Sequence, residues 1–340
     1  MDVVITDSIR EIDEKKWNTF VGHDFVEQSH QWYRTIEDSL MRSTRYVFVK
    51  ENNRLRAAAC AYIYSETLHH LRMPFLEVKS PLGFLPAFFS STPETTQVLV
   101  EALEKIQTKE KTKGILLLDF RRTDFHILRN QLKGYSHFPI RDIMYIDLNF
   151  SDFEDYLSSL NASARRSIRK TLSRAEKRWK IAFLATNEFS RWKTVACRLQ
   201  EHMCREHNDY VGFLPEKFYD ALEKNLKENA ELLLFFKDET PLASGLALNS
   251  PAVSYHKLPG VNPEYRNYQA YFLLYYEGIK RALERRQKRI YFGPTTYAFK
   301  EKIGCKRESI FGFARMGNPL LNMMLRLYFK IFGLSKNVWS

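Results

Sequence analysis

The chain has 340 residues, of which 44% are hydrophobic and 27% charged, and it includes 25 Phe and 18 Tyr. This length exceeds one ordinary core and sets an expectation of about two domains, while the composition excludes a disordered chain. A net charge of +12 points to a polyanionic partner (nucleic acid, anionic lipid headgroups or a phosphate-rich cofactor) or to a basic surface kept for solubility. The four cysteines, Cys60, Cys197, Cys204 and Cys305, form no C-x-x-C pair, which speaks against a disulfide scaffold. The N-terminal residues are charged and lack the apolar segment of a signal peptide, and no run of 18 apolar residues suggests a membrane span. The expected location is the cytoplasm, with peripheral contact at the inner face of the membrane left open.

Taken in chain order, the pattern predicts helices over Glu14–Val21 and Gln31–Leu40. A β-hairpin follows over Tyr46–Ile63, then an extended stretch, a helix over Pro93–Lys109 and a strand over Ile115–Asp119. Beyond Gly134 and Pro139 the same order returns. A strand at Met144–Leu148 precedes helical stretches over Phe153–Leu160, Ser163–Trp179 and Trp192–Glu206. A second hairpin over Leu232–Asn249, a strand at Val253–Leu258, a helix over Tyr268–Arg286 and a strand at Arg289–Phe292 complete it. The two hairpins match in detail, with Ala57-Ala58-Ala59 of the first standing where Ala243-Ser244-Gly245 stands in the second. A repeat of this length indicates duplication of a whole unit. The predicted domains are 1–138, 139–317 and an amphipathic tail, 318–340.

Four ordered segments carry a family resemblance. They are YLSSLNASARRSIRKTLSRAEK (156–177), FKDETPLASGLAL (236–248), LPGVNPEYRNYQAYFLLYYEGIKRAL (258–283) and YFGPTTYAFKEKIGC (291–305). Together the segments are similar to the acetyltransferase-like domain of the GNAT superfamily that stands next to the Fem aminoacyltransferases. The resemblance implies a mixed α/β, tandem GNAT-like fold of two mixed-sheet lobes with flanking helices, the first copy degenerate. Typical GNAT enzymes seat the pyrophosphate of CoA on a Gly-rich turn that opens a helix. Here the matching turn, Arg266 to Tyr271, has no glycine, and the Fem enzymes, which use aminoacyl-tRNA, share that departure.

Several residues are candidates for chemistry. Arg165, Arg166, Arg169 and Lys170, continued by Arg174, Lys177, Arg178 and Lys180, form a dense basic run suited to donor phosphates, or else a solvated helix face. Arg266 and Gln269 flank the start of the next helix, where a guanidinium can fork a phosphate. On the strand Val253–Leu258, Tyr255 and His256 point to opposite faces. His256 is either a proton acceptor for the attacking amine or a structural strand residue. Tyr297 is a general acid or a packing residue. Lys300 is expected to neutralise a phosphate or the developing oxyanion, and Lys302 to be a surface lysine. His207 and Asp209, where a helix gives way to a loop, are assigned to the acceptor pocket. His202, Cys204 and His207 invite a metal reading, but their spacing completes no tetrahedral set, and no metal is expected. In the tail, Leu320, Leu321, Met324, Leu327, Tyr328 and Ile331 recur at helical spacing opposite Asn322, Arg326 and Lys330. This is an amphipathic helix that docks on the core or rests on a membrane.

The expected activity is transfer of an acyl or aminoacyl group from an activated donor, acyl-CoA or aminoacyl-tRNA, to an amine on a small molecule or peptide. The donor is a co-substrate, with no tightly bound cofactor. The alternative is a non-catalytic module that binds nucleic acid or a membrane surface through degenerate lobes.

Overall fold

The computed structural model describes residues 1–68, 71–210 and 212–332; the side chains of 67, 68, 71, 258 and 330–332 lie outside that description. The elements run β1 (Asp2–Thr6), α1 (Glu14–Val21), α2 (His30–Asp38), β2 (Thr44–Glu51), β3 (Arg54–Leu68), β4 (Leu71–Val78), β5 (Phe88–Ser90), α3 (Pro93–Lys109), β6 (Gly114–Arg121), α4 (Arg122–Leu128) and β7 (Ser136–Asp147). They continue with α5 (Phe153–Ser159), α6 (Ala162–Ser173), β8 (Ile181–Thr186), α7 (Phe189–His207), α8 (Glu216–Leu226), β9 (Ala230–Lys237), β10 (Thr240–Asn249) and β11 (Val253–Val261). The last are α9 (Ala270–Glu284), β12 (Arg289–Gly293), α10 (Tyr297–Lys302), β13 (Lys306–Met316) and α11 (Pro319–Phe332).

The elements form two compact units. One comprises 1–22, 27–142 and 308–340; the other comprises 23–26 and 143–307. This division differs from the bounds read from sequence. It falls inside β7, between Asp142 and Ile143, and it returns 308–317 to the first unit. The physical reason is β13, whose Phe311 and Phe313 pair with Phe120 and Leu117 of β6. Phe313 is buried in the first unit's core among Leu117, Phe120 and Phe125. Nothing local in residues 306–316 reveals that partner.

In the first unit the strands lie in the order β1-β2-β3-β4-β6-β13, with β5 on β3; in the second, β7-β12-β11-β10-β9-β8. Each copy is built on an antiparallel hairpin. β2 turns into β3 through Asn52 and Asn53, both at positive φ, the conformation that a tight two-residue hairpin turn requires and asparagine tolerates. β9 turns into β10 through Asp238, also at positive φ. Each copy then makes one parallel pairing across a helical crossover: β4 with β6 over α3, and β11 with β12 over α9. A parallel connection needs such a crossover because no tight turn can return the chain to the same end of the sheet.

α3 begins with Thr92 and Thr95 in a reciprocal capping box and buries Leu99, Leu103 and Ile106 against the first sheet. α9 buries Leu273, Leu274, Ile279 and Ala282 in the second core. At about 1.5–3 kcal/mol for each fully buried large aliphatic side chain, these two faces hold the crossovers down more firmly than helix propensity does. β11 lies directly against α7. A side-chain Cβ at Gly260 would stand 2.7 Å from the backbone of Leu199 and Gln200, so glycine sets that close approach.

Candidate functional site

The parallel pairing of β11 with β12 covers only Val253–Arg289, Ser254–Ile290 and Tyr255–Tyr291. Beyond Tyr255, β11 continues to Val261 on β10, while β12 ends at Gly293. The strands therefore splay at their C-terminal ends, the place where open α/β sheets bind ligands.

The turn that leaves β12 at this splay is strained. Gly293 (φ 66°) is followed by Thr295 (75°) and Thr296 (45°). Positive φ is a true outlier for a β-branched residue, and such strain collects at functional sites. Lys300 holds the turn. Its Nζ donates to the carbonyls of Phe292 (2.9 Å), Gly293 (3.2 Å) and Pro294 (2.8 Å), and burial pushes its ammonium pKa down to about 8. All three donors of the ammonium are used on backbone, which makes Lys300 a clamp for the turn. The Tyr271 hydroxyl lies 2.8 Å from that of Tyr275 and 3.5 Å from Thr296 Oγ1. The hydroxyls thus gather beside the turn, and burial raises the pKa of Tyr275 well above the usual phenol value.

On the other side of Phe299, whose ring is 4.7 Å from Phe272 and 5.1 Å from Tyr275, lies a cavity of about 140 Å³. Ile168, Phe272, Tyr276 and Phe299 form its apolar wall; Ser167, Thr171, Gln269 and Lys302 supply polar atoms. Thr171 donates to Gln269 Oε1 at 3.0 Å. Gln269 itself, at φ 59°, caps α9, and its N–H closes the preceding turn on Arg266 O at 2.9 Å.

The structure thus places the residues singled out from sequence in several different surroundings. Gln269 is in the cavity wall and Lys302 beside it, whereas Lys300 faces inward onto carbonyls. Arg266 pairs with Glu206. Arg165 donates to the carbonyls of Ser158 and Leu160, Arg169 pairs with Glu154 at 2.5 Å, and Arg166 and Lys170 are exposed. His207 and Asp209 are exposed at the end of α7; among the described residues, the cavity wall includes neither. The Arg307 guanidinium lies over the ring of Tyr297 at 4.8 Å. Tyr255 is buried and stacks on Tyr291 at 5.3 Å. His256 points the other way, its ring 5.6 Å from Phe292 and pressed onto Gly278. Burial, with Arg281 and Arg285 adding to it, pushes the His256 pKa down to about 3. The imidazole is packed between Phe292 and Gly278. Tyr271, Tyr275 and Thr296 escaped the sequence reading, although Tyr271 and Tyr275 share one helix face at i, i+4.

The first unit repeats the splay. β4 and β6 pair only over Leu76–Ile115, Glu77–Leu116 and Val78–Leu117. Just beyond, Lys79 Nζ and Asp119 Oδ2 form a buried ion pair at 2.6 Å, with Asp119 at φ 68°. Burial raises the Glu77 carboxyl to about 7, against the opposing pull of Lys79. A lone Glu among Pro74, Phe75, Leu76 and Val78 is the sequence trace of this group.

Two copies of a hairpin, a crossover helix and a splayed parallel pair define a tandem GNAT-fold protein. A family model described as peptidoglycan biosynthesis/recognition, FemAB-like, matches residues 74–329. The chain therefore belongs to the FemAB-like family. Among solved structures, the crystal structure of FemX is similar over 96% of this chain and 100% of that one, with 16% identity and a TM-score of 0.67. The C-terminal domain of a putative lysylphosphatidylglycerol synthetase from Agrobacterium fabrum is similar over 97% and 99%, with 11% identity and a TM-score of 0.61. A tandem GNAT protein from the clavulanic acid biosynthesis pathway is similar over 94% and 99%, with 9% identity and a TM-score of 0.54. At these identities the likeness is one of fold. No curated protein matches the sequence.

Proposed function

We propose that the protein transfers an aminoacyl group from aminoacyl-tRNA to an amine, with the donor seated in the second unit. The observation that carries this reading is the strained turn Gly293–Thr296 at the mouth of the β11–β12 splay, clamped by Lys300 beside the Tyr271 and Thr296 hydroxyls. The amine attacks the donor ester carbonyl, forming a C–N bond. The electron pair displaced onto oxygen is met by hydroxyl donors at the turn. Collapse then breaks the ester C–O bond, and the proton lost by the amine passes to the departing ribose oxygen. Orientation and oxyanion stabilisation supply most of the rate, and no covalent enzyme intermediate is needed.

Three features favour tRNA over CoA as donor. The turn opening α9 is led by Arg266 and Gln269 rather than glycines, and Gln269 fills the position with its own side chain. The 140 Å³ cavity suits an amino-acid side chain. The exposed cations Arg166 and Lys170 stand on α6, the same helix that lends Ser167 and Thr171 to the cavity. The description of the family supports a peptidoglycan precursor as the source of the amine.

Titration with unfractionated tRNA and with CoA at several salt concentrations tests the donor. The tRNA affinity should fall linearly on a log–log plot against salt, and Arg166→Glu with Lys170→Glu should reduce that slope by roughly 1–2. Saturable CoA binding without tRNA binding overturns the donor. Tyr271→Phe and Thr296→Val should slow transfer by about 10²-fold or more at unchanged tRNA affinity; unchanged turnover removes the turn from the chemistry.

A further inference from the structure

The C-terminal helix α11 sits on the first unit with an unexpected face inward. Asn322 Oδ1 accepts from Met316 N–H at 2.9 Å, and its Nδ2 donates to Gly134 O at 3.1 Å. One helical turn or two along the same face, Arg326 lies beside Gly134, and Phe329 stacks on Phe138 at 5.1 Å. The amide pins the helix because its two hydrogen bonds satisfy backbone groups at the end of β13 and before β7. The opposite face is left in water: Leu320 is 62% exposed, Leu321 42%, Met323 52%, Met324 56% and Leu327 50%. Five large apolar side chains on one helical face, rather than scattered singly, mark an interaction surface.

Charge decides what covers it. From Ser309 to Ser340 the chain holds no Asp or Glu, while Arg326, Lys330 and Lys336 are cationic; Arg315 pairs with Glu104. Around the base of the helix, Lys111, Lys113 and Lys133 are exposed. Lys113 is tied to the start of the helix by Gly317 N–H to Lys113 O at 2.9 Å. An apolar stripe bordered by cations on a chain of net charge +12 complements a surface that is apolar beneath and anionic above. A two-fold contact with a second copy would instead face Arg326 and Lys133 with themselves, placing like charges together.

We infer that α11 lies in the headgroup plane of an anionic membrane, with Leu320, Leu321, Met323, Met324 and Leu327 inserted. Fourteen residues rise about 21 Å at 1.5 Å each, short of the roughly 30 Å hydrocarbon core, so the helix lies on the membrane. No described helix is long and apolar enough to cross one. Such a contact would tether the enzyme without involving either splay.

Co-sedimentation with vesicles of phosphatidylcholine alone, and with vesicles of equal parts phosphatidylcholine and phosphatidylglycerol, tests the inference. The full chain should pellet with the anionic vesicles and stay in solution with the zwitterionic ones. Leu320→Ser with Met324→Ser and Leu327→Ser, all exposed positions, should leave the melting temperature in place and weaken binding by about tenfold or more. Equal binding to both vesicle types, no binding to either, or undiminished binding by the triple variant overturns it. So does a concentration-dependent dimer of the full chain that the triple variant abolishes, since the occupant is then a second copy.

Discussion

The ring of His256 fills the space that a methyl group on Gly278 would need: a Cβ built there stands 2.4 Å from His256 Cε1. β11 and α9 meet at this contact, and the glycine leaves room for the imidazole beside the helix. Gly278→Ala should therefore cost roughly 1–3 kcal/mol by overpacking, and adding His256→Ala should recover part of the loss. A double-mutant cycle by urea denaturation reads the coupling; additive losses would show that the two residues do not share the site.

Burial of the same ring, with the charges of Arg281 and Arg285, sets a pH dependence. The folded-state pKa of His256 is about 3 against an ordinary 6.5, so folding favours the neutral ring. Its contribution to stability is complete above pH 6.5 and drains away as pH falls from there toward 3. His256→Gln should flatten that part of the stability profile.

Lys300 and Lys302, two residues apart, should separate cleanly. Lys300→Met strands the carbonyls of Phe292, Gly293 and Pro294, at a cost of about 1–3 kcal/mol for buried acceptors left without donors. Transfer activity should fall with it, because the turn is no longer held. Lys302→Ala should change stability by less than about 0.5 kcal/mol, as is usual for an exposed site, while raising the KM for the donor. Thermal melts beside steady-state kinetics check both, and the reverse assignment of effects would refute the clamp.

Glu77 gives the opposite pH sign. Its folded pKa of about 7 lies above the ordinary 4.5, because burial favours the neutral acid. The stability it contributes is complete below pH 4.5 and is lost as pH rises through 7. Glu77→Gln should hold the neutral form at every pH and gain about 1–3 kcal/mol relative to the parent near pH 8. Denaturation curves at pH 5 and pH 8 measure it; a variant that tracks the parent at both values would show that Glu77 stays ionised.

Local signals proved legible wherever the chain announces its own period or punctuation. The helices Glu14–Val21 and Pro93–Lys109 begin and end where the sequence placed them; an aspartate cap and a Thr-Pro start mark their N-termini. Both hairpins were readable from their polar turns. β8 and β13 were not, because a strand's partner rather than its own pattern decides whether an extended segment pairs.

Sequence alone established the duplication, the order of elements in each copy and the segments that mark the GNAT-like domain, for these are properties of neighbouring residues. Tertiary structure alone decided that β13 returns to the first unit, that Lys300 turns inward while Lys302 borders the cavity, and that α11 docks by Asn322 and Phe329 with its leucines outward. Each of those outcomes depends on which distant surface supplies the better burial or the unmet hydrogen bond. That comparison can be made only once the chain has folded.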